Sequence, residues 1–169
     1  MKSSTISPAQ SSATTLRRLA DEGYDGEAWH GANLRTALAA VSAETAFWRP
    51  GPGRHNIAEL ALHHAWCVRG AVAQILQEDG GAFPVDGADW FKLTAEWPLS
   101  WNDILATVAE QQAALRAAID RYEAGTAAAA RSSAENADLV LGVTCHGIYH
   151  AGQVQLIGVL HQAQTGVGS

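Results

Sequence analysis

Cysteine is scarce in this chain: two residues in 169, neither in a CxxC pair. That excludes a disulfide scaffold and a cysteine-rich zinc module. Positive charge is also in short supply. Eleven lysines and arginines face seventeen aspartates and glutamates, a formal net charge of -6, which argues against a general nucleic-acid binder with its basic footprint. No run reaches about 18 uninterrupted apolar residues, so a transmembrane helix is not expected. The opening Met-Lys-Ser-Ser-Thr-Ile-Ser-Pro lacks the apolar core of a signal peptide. Sustained two-residue alternation and Asn-Gly hairpin turns are missing, so strands are not expected either. There is no glycine-rich phosphate loop and no readable Ser-His-Asp arrangement. These absences point to a soluble, cytoplasmic protein with Cys67 and Cys145 reduced, binding neither nucleic acid nor membrane.

What is present suits one globular domain. Hydrophobic residues make up 47% and charged residues 17%, and a chain of this length can bury a core without staples. We expect a disordered tail over residues 1–8, a single domain over 9–163 and a flexible tail over 164–169. A short helix is expected over 9–22. Leu34, Leu38, Val41 and Thr45 recur at helical spacing from about 29 to 47, and Arg49-Pro50-Gly51-Pro52-Gly53 stops that helix. Asn56, with Glu59 three residues on, reads as a capping box. Behind it Ile57, Leu60, Ala61, His64, Val68, Ala71, Val72 and Ile75 form one apolar stripe. Residues 80–99 read as a long ordered loop. Ser100 caps a helix whose inner face carries Trp101, Ile104, Leu105, Val108, Gln112, Leu115, Ile119 and Tyr122. The Ala- and Ser-rich 124–135 fits helix continuation or linker. The last helix, about 137–162, is apolar nearly all round, which predicts burial on both sides. The fold class is all-α: four helices of roughly 15 to 25 residues suggest a four-helix bundle, with a short N-terminal helix and a long loop between helices 2 and 3.

Seven histidines and six tryptophans stand against the two cysteines. His146 and His150 are four residues apart, so both rings leave one face of the last helix and can share a metal ion. A third ligand has an obvious source in His63-His64. Periodicity places His64 at the centre of its stripe, with His63 about 100° to one side. Three imidazoles leave the ion's full charge and an open position, the catalytic pattern, and such an ion acts as a Lewis acid or lowers the pKa of a bound water or thiol. The bland alternative is a set of packed, hydrogen-bonded core histidines.

Four more residues are candidates for the pocket or for supporting the ligands. His30 fits a pocket wall, or an ordinary surface residue at a helix start. His64 is the fallback ligand. Gln153 fits a hydrogen bond to a ligand histidine, or to backbone. Glu59 is one turn before His63 and fits its orientation, although capping explains it equally well. His55 and His161 are expected bystanders. Trp66 and Trp101 read as packing, and Trp90 and Trp97, in the loop, as lid or dimer contact. Cys67 and Cys145 read as small core residues, neither placed to supply a thiol.

Three segments carry a family resemblance. His146-Gly147-Ile148-Tyr149-His150-Ala151-Gly152-Gln153-Val154 resembles the last-helix motif of DinB-like (DinB/YfiT) superfamily proteins. His55-Asn56-Ile57-Ala58-Glu59-Leu60-Ala61-Leu62-His63-His64-Ala65-Trp66 resembles that family's second helix. Trp29-His30-Gly31-Ala32-Asn33-Leu34 resembles the opening of its first long helix in one branch. The likeness spans roughly residues 24–162. It implies a four-helix bundle, often dimeric, with a divalent ion such as nickel or zinc, and its metal triad falls on His63, His146 and His150. Characterised relatives include thiol-dependent transferases and isomerases that use mycothiol or bacillithiol. Many members have no assigned reaction. The resemblance thus implies a metal-dependent enzyme, of thiol-dependent transferase, isomerase or hydrolase type, acting on a small molecule, with a low-molecular-weight thiol as a second cofactor. Two alternatives stand beside it: a metal-binding or stress-associated protein without turnover, and a helical interaction module.

Overall fold

The computed structural model describes residues 8–87, 89–127 and 131–166. The expected tails, 1–8 and 164–169, fall largely outside those residues. Within them, α1 opens at Pro8, a residue suited to a first helical position, and α6 runs to Thr165 before a left-handed Gly166. The six helices are α1 (Pro8–Tyr24), α2 (Leu34–Ala39), α3 (Ala43–Phe47), α4 (Ile57–Leu76), α5 (Trp101–Glu123) and α6 (Ser133–Thr165). No strand occurs among the described residues.

Local chemistry sets the starts of these helices. Asn33, Ser42, Asn56, Ser100 and Ser132 each accept a backbone N–H with the side chain at the head of a helix, and Glu59, Asp103 and Glu135 complete capping boxes. Of the Ala- and Ser-rich stretch, 124–127 and 131–132 lie outside the helices, Ser133 opens α6 behind its Ser132 cap, and residues 128–130 lie outside the described ones.

Two expectations are corrected. The helix expected over 29–47 is two short ones. Ser42 caps α3 and interrupts the run, and the carbonyl of Val41 accepts from the Trp101 indole N–H at 3.1 Å. The fourth long helix is instead α1. It packs against α5 and α6, while α4 packs against the same two, so the four long helices close a ring. Arg116 ties α5 to α1 through Asp21 (2.6 Å) and Asp25. The last helix is not buried on both sides. Val143, Val154 and Ile157 face inward, but Leu141, Tyr149, Leu156, Val159 and Leu160 are exposed, Leu156 and Val159 at 60% each. An outer helix of four has neighbours on one side only.

The core is split by a polar layer. One apolar cluster takes Ile57, Leu60 and Ala61 of α4 with Val154 and Ile157 of α6, and the other takes Val68, Val72 and Ile75 with Val140 and Val143. Between them lie His63, His64, His146 and His150, together with Gln112 of α5, whose amide donates to Ala20 at 3.1 Å.

Glu59 is the buried anion that fastens the start of α4. It is 1% exposed, paired with Arg49 through both oxygens, and it accepts from the backbone N–H groups of Asn56 (3.3 Å) and Leu93 (2.9 Å). Glu59→Ala would leave two buried donors and a half-buried guanidinium without their acceptor. We expect it to cost roughly 3 kcal/mol or more, read as a lower urea midpoint at unchanged slope.

Candidate metal centre

α4 and α6 bring three of the histidines together. Nε2 of His146 lies 3.2 Å from Nε2 of His63 and 2.8 Å from Nε2 of His150. The outward nitrogens of the two flanking rings are committed elsewhere. Nδ1–H of His63 donates to the carbonyl of Asp89 (2.8 Å), with the Asp89 carboxylate at 3.1 Å, and Nδ1–H of His150 donates to Oε1 of Gln153 (2.6 Å). A neutral imidazole has one proton. Both rings therefore turn bare Nε2 lone pairs toward His146, whose single Nε2 proton can satisfy only one of them. Protonating His146 or His150 does not relieve this. Burial and the neighbouring imidazoles pull His150 down to about 4, the Gln153 bond notwithstanding, and burial and His63 hold His146 below its ordinary value.

This donor set suits a divalent cation. Nitrogens bound to one ion at about 2.0–2.1 Å lie roughly 3.0–3.4 Å apart, close to the spacings found. The set whose donor atoms all lie within 4.8 Å of one another is His63, Cys67 and His146; His150 joins it through His146, at 2.8 Å.

The remaining candidates divide clearly. His64 does not join the cluster. It is buried in the inner layer, where burial and the three imidazoles pull it down to about 3 and its Nδ1 has no hydrogen-bond partner. Gln153 touches His150 and is braced in turn by the Tyr149 hydroxyl, 3.3 Å from its amide nitrogen. Glu59 makes no hydrogen bond to His63; its carboxylate is 3.0 Å from Nδ1 of His55. His55 does bear on the site, because Trp90 is stacked between His55 and His63, each ring at 3.8 Å. His30 and Trp29 are exposed, in an irregular segment before α2. His161 is buried beside Trp48, 3.1 Å from the Thr45 hydroxyl, about 16 Å along α6 from His150.

Two contributors escaped the sequence reading. Asp89 sits in the long loop, where no periodicity reports on position. Cys67 had a signal: it follows His63 by four residues, the spacing that paired His146 with His150. Its Sγ lies 3.8 Å from Nε2 of His63, and burial together with Asp89 pushes the free thiol up to about 11.

An open cleft of about 410 Å³ reaches the cluster between α4 and α6. His63, Cys67, Gly70, Ala71 and Gln74 line one wall, and Asp138, Leu139, Gly142, Val143 and His146 the other. A larger cavity of about 560 Å³ lies beside α3. Its basic groups are already engaged, His161 with Thr45 and Arg49 with Glu59, so it is the poorer candidate.

Gly147 lets α6 approach α4 here. A Cβ on it would stand 2.8 Å from Cε1 of the buried His64 ring, whereas one on Gly158 would meet nothing within 4 Å. Gly147→Ala should destabilise by about 1–3 kcal/mol. Gly158→Ala should be neutral or stabilising by up to about 1 kcal/mol. Denaturant melts of the two variants check the contrast.

The profile of the DinB superfamily matches residues 28–154, three quarters of the chain and all of the histidine cluster. The chain belongs to the DinB superfamily. Neither the curated proteins nor the solved structures contain a match to this DinB-superfamily chain. The family assignment supports a metal ion at the cluster without naming the ion or a reaction.

Proposed function

We propose that this DinB-superfamily protein is a metal-dependent enzyme built on a four-helix bundle, with its ion on His63, His146 and His150 and a small-molecule substrate in the α4–α6 cleft. The approach of two Nε2 atoms to that of His146, both bare because Asp89 and Gln153 take the Nδ1 protons, carries this reading. A divalent ion there, nickel or zinc, supplies Lewis acidity and lowers the pKa of a bound water or thiol. The chain's own groups do the rest. Asp89 and Gln153 orient two ligand rings. Trp90 covers one face of His63 and keeps water from it. Gln74 and Asp138 offer polar contacts in the cleft, and Gly70 and Gly142 leave it room.

The reaction class that fits is transfer or isomerisation assisted by a low-molecular-weight thiol, or hydrolysis. The test is turnover by untagged protein before and after chelation, with small thiols plus electrophiles and with small esters and amides. Activity lost on chelation and restored by nickel or zinc is the expected result. Uptake of metal with no turnover on any of these substrates would favour the second reading, a metal-binding protein without catalysis. The openness of the cleft favours the enzyme.

The same proposal includes a homodimer and a cytoplasmic setting. No residue from 139 to 165 is charged, and the exposed Leu141, Tyr149, Leu156, Val159 and Leu160 give α6 an outer apolar face of the kind that marks an interface. Light scattering should find two copies for the wild type and one for Leu156→Asp. No helix of the described residues is long and apolar enough to cross a membrane, and free Cys67 and Cys145 fit a reducing compartment.

A further inference from the structure

We infer that Cys67 is a fourth protein donor to the ion, making the centre a mixed imidazole–thiolate site that takes zinc, nickel or cobalt in preference to magnesium, calcium or manganese. This rests on the three-histidine site proposed above and adds a ligand to it. Cys67 follows His63 by four residues on α4, so its side chain leaves the same helix face one turn on. Sγ is 3.8 Å from Nε2 and 4.0 Å from Nδ1 of His63, and no other hydrogen-bond contact of the sulfur is found among the described residues. A nitrogen and a sulfur on one tetrahedral ion, at about 2.0–2.1 and 2.3 Å, lie roughly 3.5 Å apart. Sγ is nearly equidistant from the two ring nitrogens, so on metal binding the Cys67 side chain must turn to bring it round toward the Nε2 lone pair. His63, Cys67 and His146 lie near enough to share an ion as a set, each with a donor atom within 4.8 Å of the other two. All three also line the cleft, so the ion and the displaced proton have a way in and out.

The chemistry follows from the sulfur. As the metal–sulfur bond forms, the thiol gives its proton to water in the cleft, and the donor set changes from three neutral groups to three neutral groups and one anion. A thiolate is a soft ligand that favours zinc and its borderline neighbours, whereas the oxygen-seeking ions gain little from it. Four protein donors would match the closed pattern of a structural zinc site, so the enzyme reading would then need a further coordination position on the ion.

The experiment uses the full untagged chain with cobalt(II) as the probe. Wild-type protein should show cobalt's visible d–d bands together with an intense near-ultraviolet thiolate-to-cobalt charge-transfer band. Cys67→Ser and Cys67→Ala should keep the visible bands and lose the charge-transfer band, and bind zinc at least about tenfold more weakly. Cys145→Ala should keep both features. Wild-type protein that takes up cobalt without the charge-transfer band would overturn the Cys67 assignment while leaving the three histidines standing. So would a band that survives Cys67→Ala. No cobalt uptake by the wild type would overturn both assignments. Because the wild-type spectrum alone can refute the inference, a poorly folded variant does not shelter it.

Discussion

Alanine in place of His63 is expected to empty the proposed metal centre, and alanine in place of His64 to leave it full. Untagged wild-type protein should carry about one equivalent of divalent ion per chain, and His63→Ala and His146→Ala less than about a tenth, by elemental analysis. His64→Ala should match the wild type. The two residues are neighbours on one helix, yet a turn of about 100° separates their rings. His63 turns a bare Nε2 toward His146, while His64 lies at 3% exposure with its ring against Gly147. Truncating His64 removes core volume and costs stability, on the order of 2–4 kcal/mol, but takes away no donor. A second readout separates folding from binding. Added zinc at a hundredfold excess over its Kd should stabilise the wild type by roughly 3 kcal/mol and His63→Ala by nothing. Loss of metal from His64→Ala with full retention in His63→Ala would reverse the assignment.

Below neutral pH the metal-free protein is expected to lose stability steeply. Burial first, and then the imidazoles of His146, His150 and His63, pull His64 down to about 3, and His150 is held at about 4. In the unfolded chain each would take a proton near 6.5. Between those values the unfolded state binds more protons than the folded state. The stability from keeping these rings neutral is therefore complete above about pH 6.5 and falls as the pH drops toward 4 and 3. Each group contributes up to about 1.4 kcal/mol per pH unit in that window. Glu59 adds to the loss at lower pH. Burial alone would raise its carboxyl, but Arg49, the Leu93 N–H and His55 outweigh burial and hold it below the usual range, so its contribution disappears as that carboxylate is protonated. Urea midpoints at pH 7, 6 and 5, with chelator present, measure the slope. His64→Gln, which keeps a polar group but cannot titrate, should flatten it by one group's share. Equal slopes for wild type and variant would dismiss His64 as the cause.

Helix starts were legible because capping is local. Asn56 with Glu59 and Ser100 with Asp103 each act within one turn, and both caps stand where the residues suggested. The pairing of His146 with His150 was legible for the same reason. The break at 40–42 was not. Leu34, Leu38, Val41 and Thr45 keep helical spacing across it, and what draws the Val41 carbonyl out of the run is Trp101, sixty residues away. The exposure of Leu156 and Val159 was hidden too, since an apolar helix face reads alike whether it is covered or bare. Cys67 is within reach of a spacing argument yet reads equally as core, while Asp89 and the stacking of Trp90 between His55 and His63 depend on how the loop between α4 and α5 returns over α4.

By itself the sequence determined an all-helical chain, the caps on its helices, the histidine pair one turn apart and the family that these motifs resemble. Each of those depends on residues close together along the chain. The resemblance put the third ligand at His63; only the tertiary structure shows its Nε2 3.2 Å from His146 with His64 turned to Gly147, the Nδ1 protons directed at Asp89 and Gln153, and Cys67 beside the cluster. Those outcomes turn on the rotation of α4 against α6 and on the path of the loop. A shift of one residue on a helix moves a side chain by 100°, and no pattern within a single helix says which way its neighbour lies.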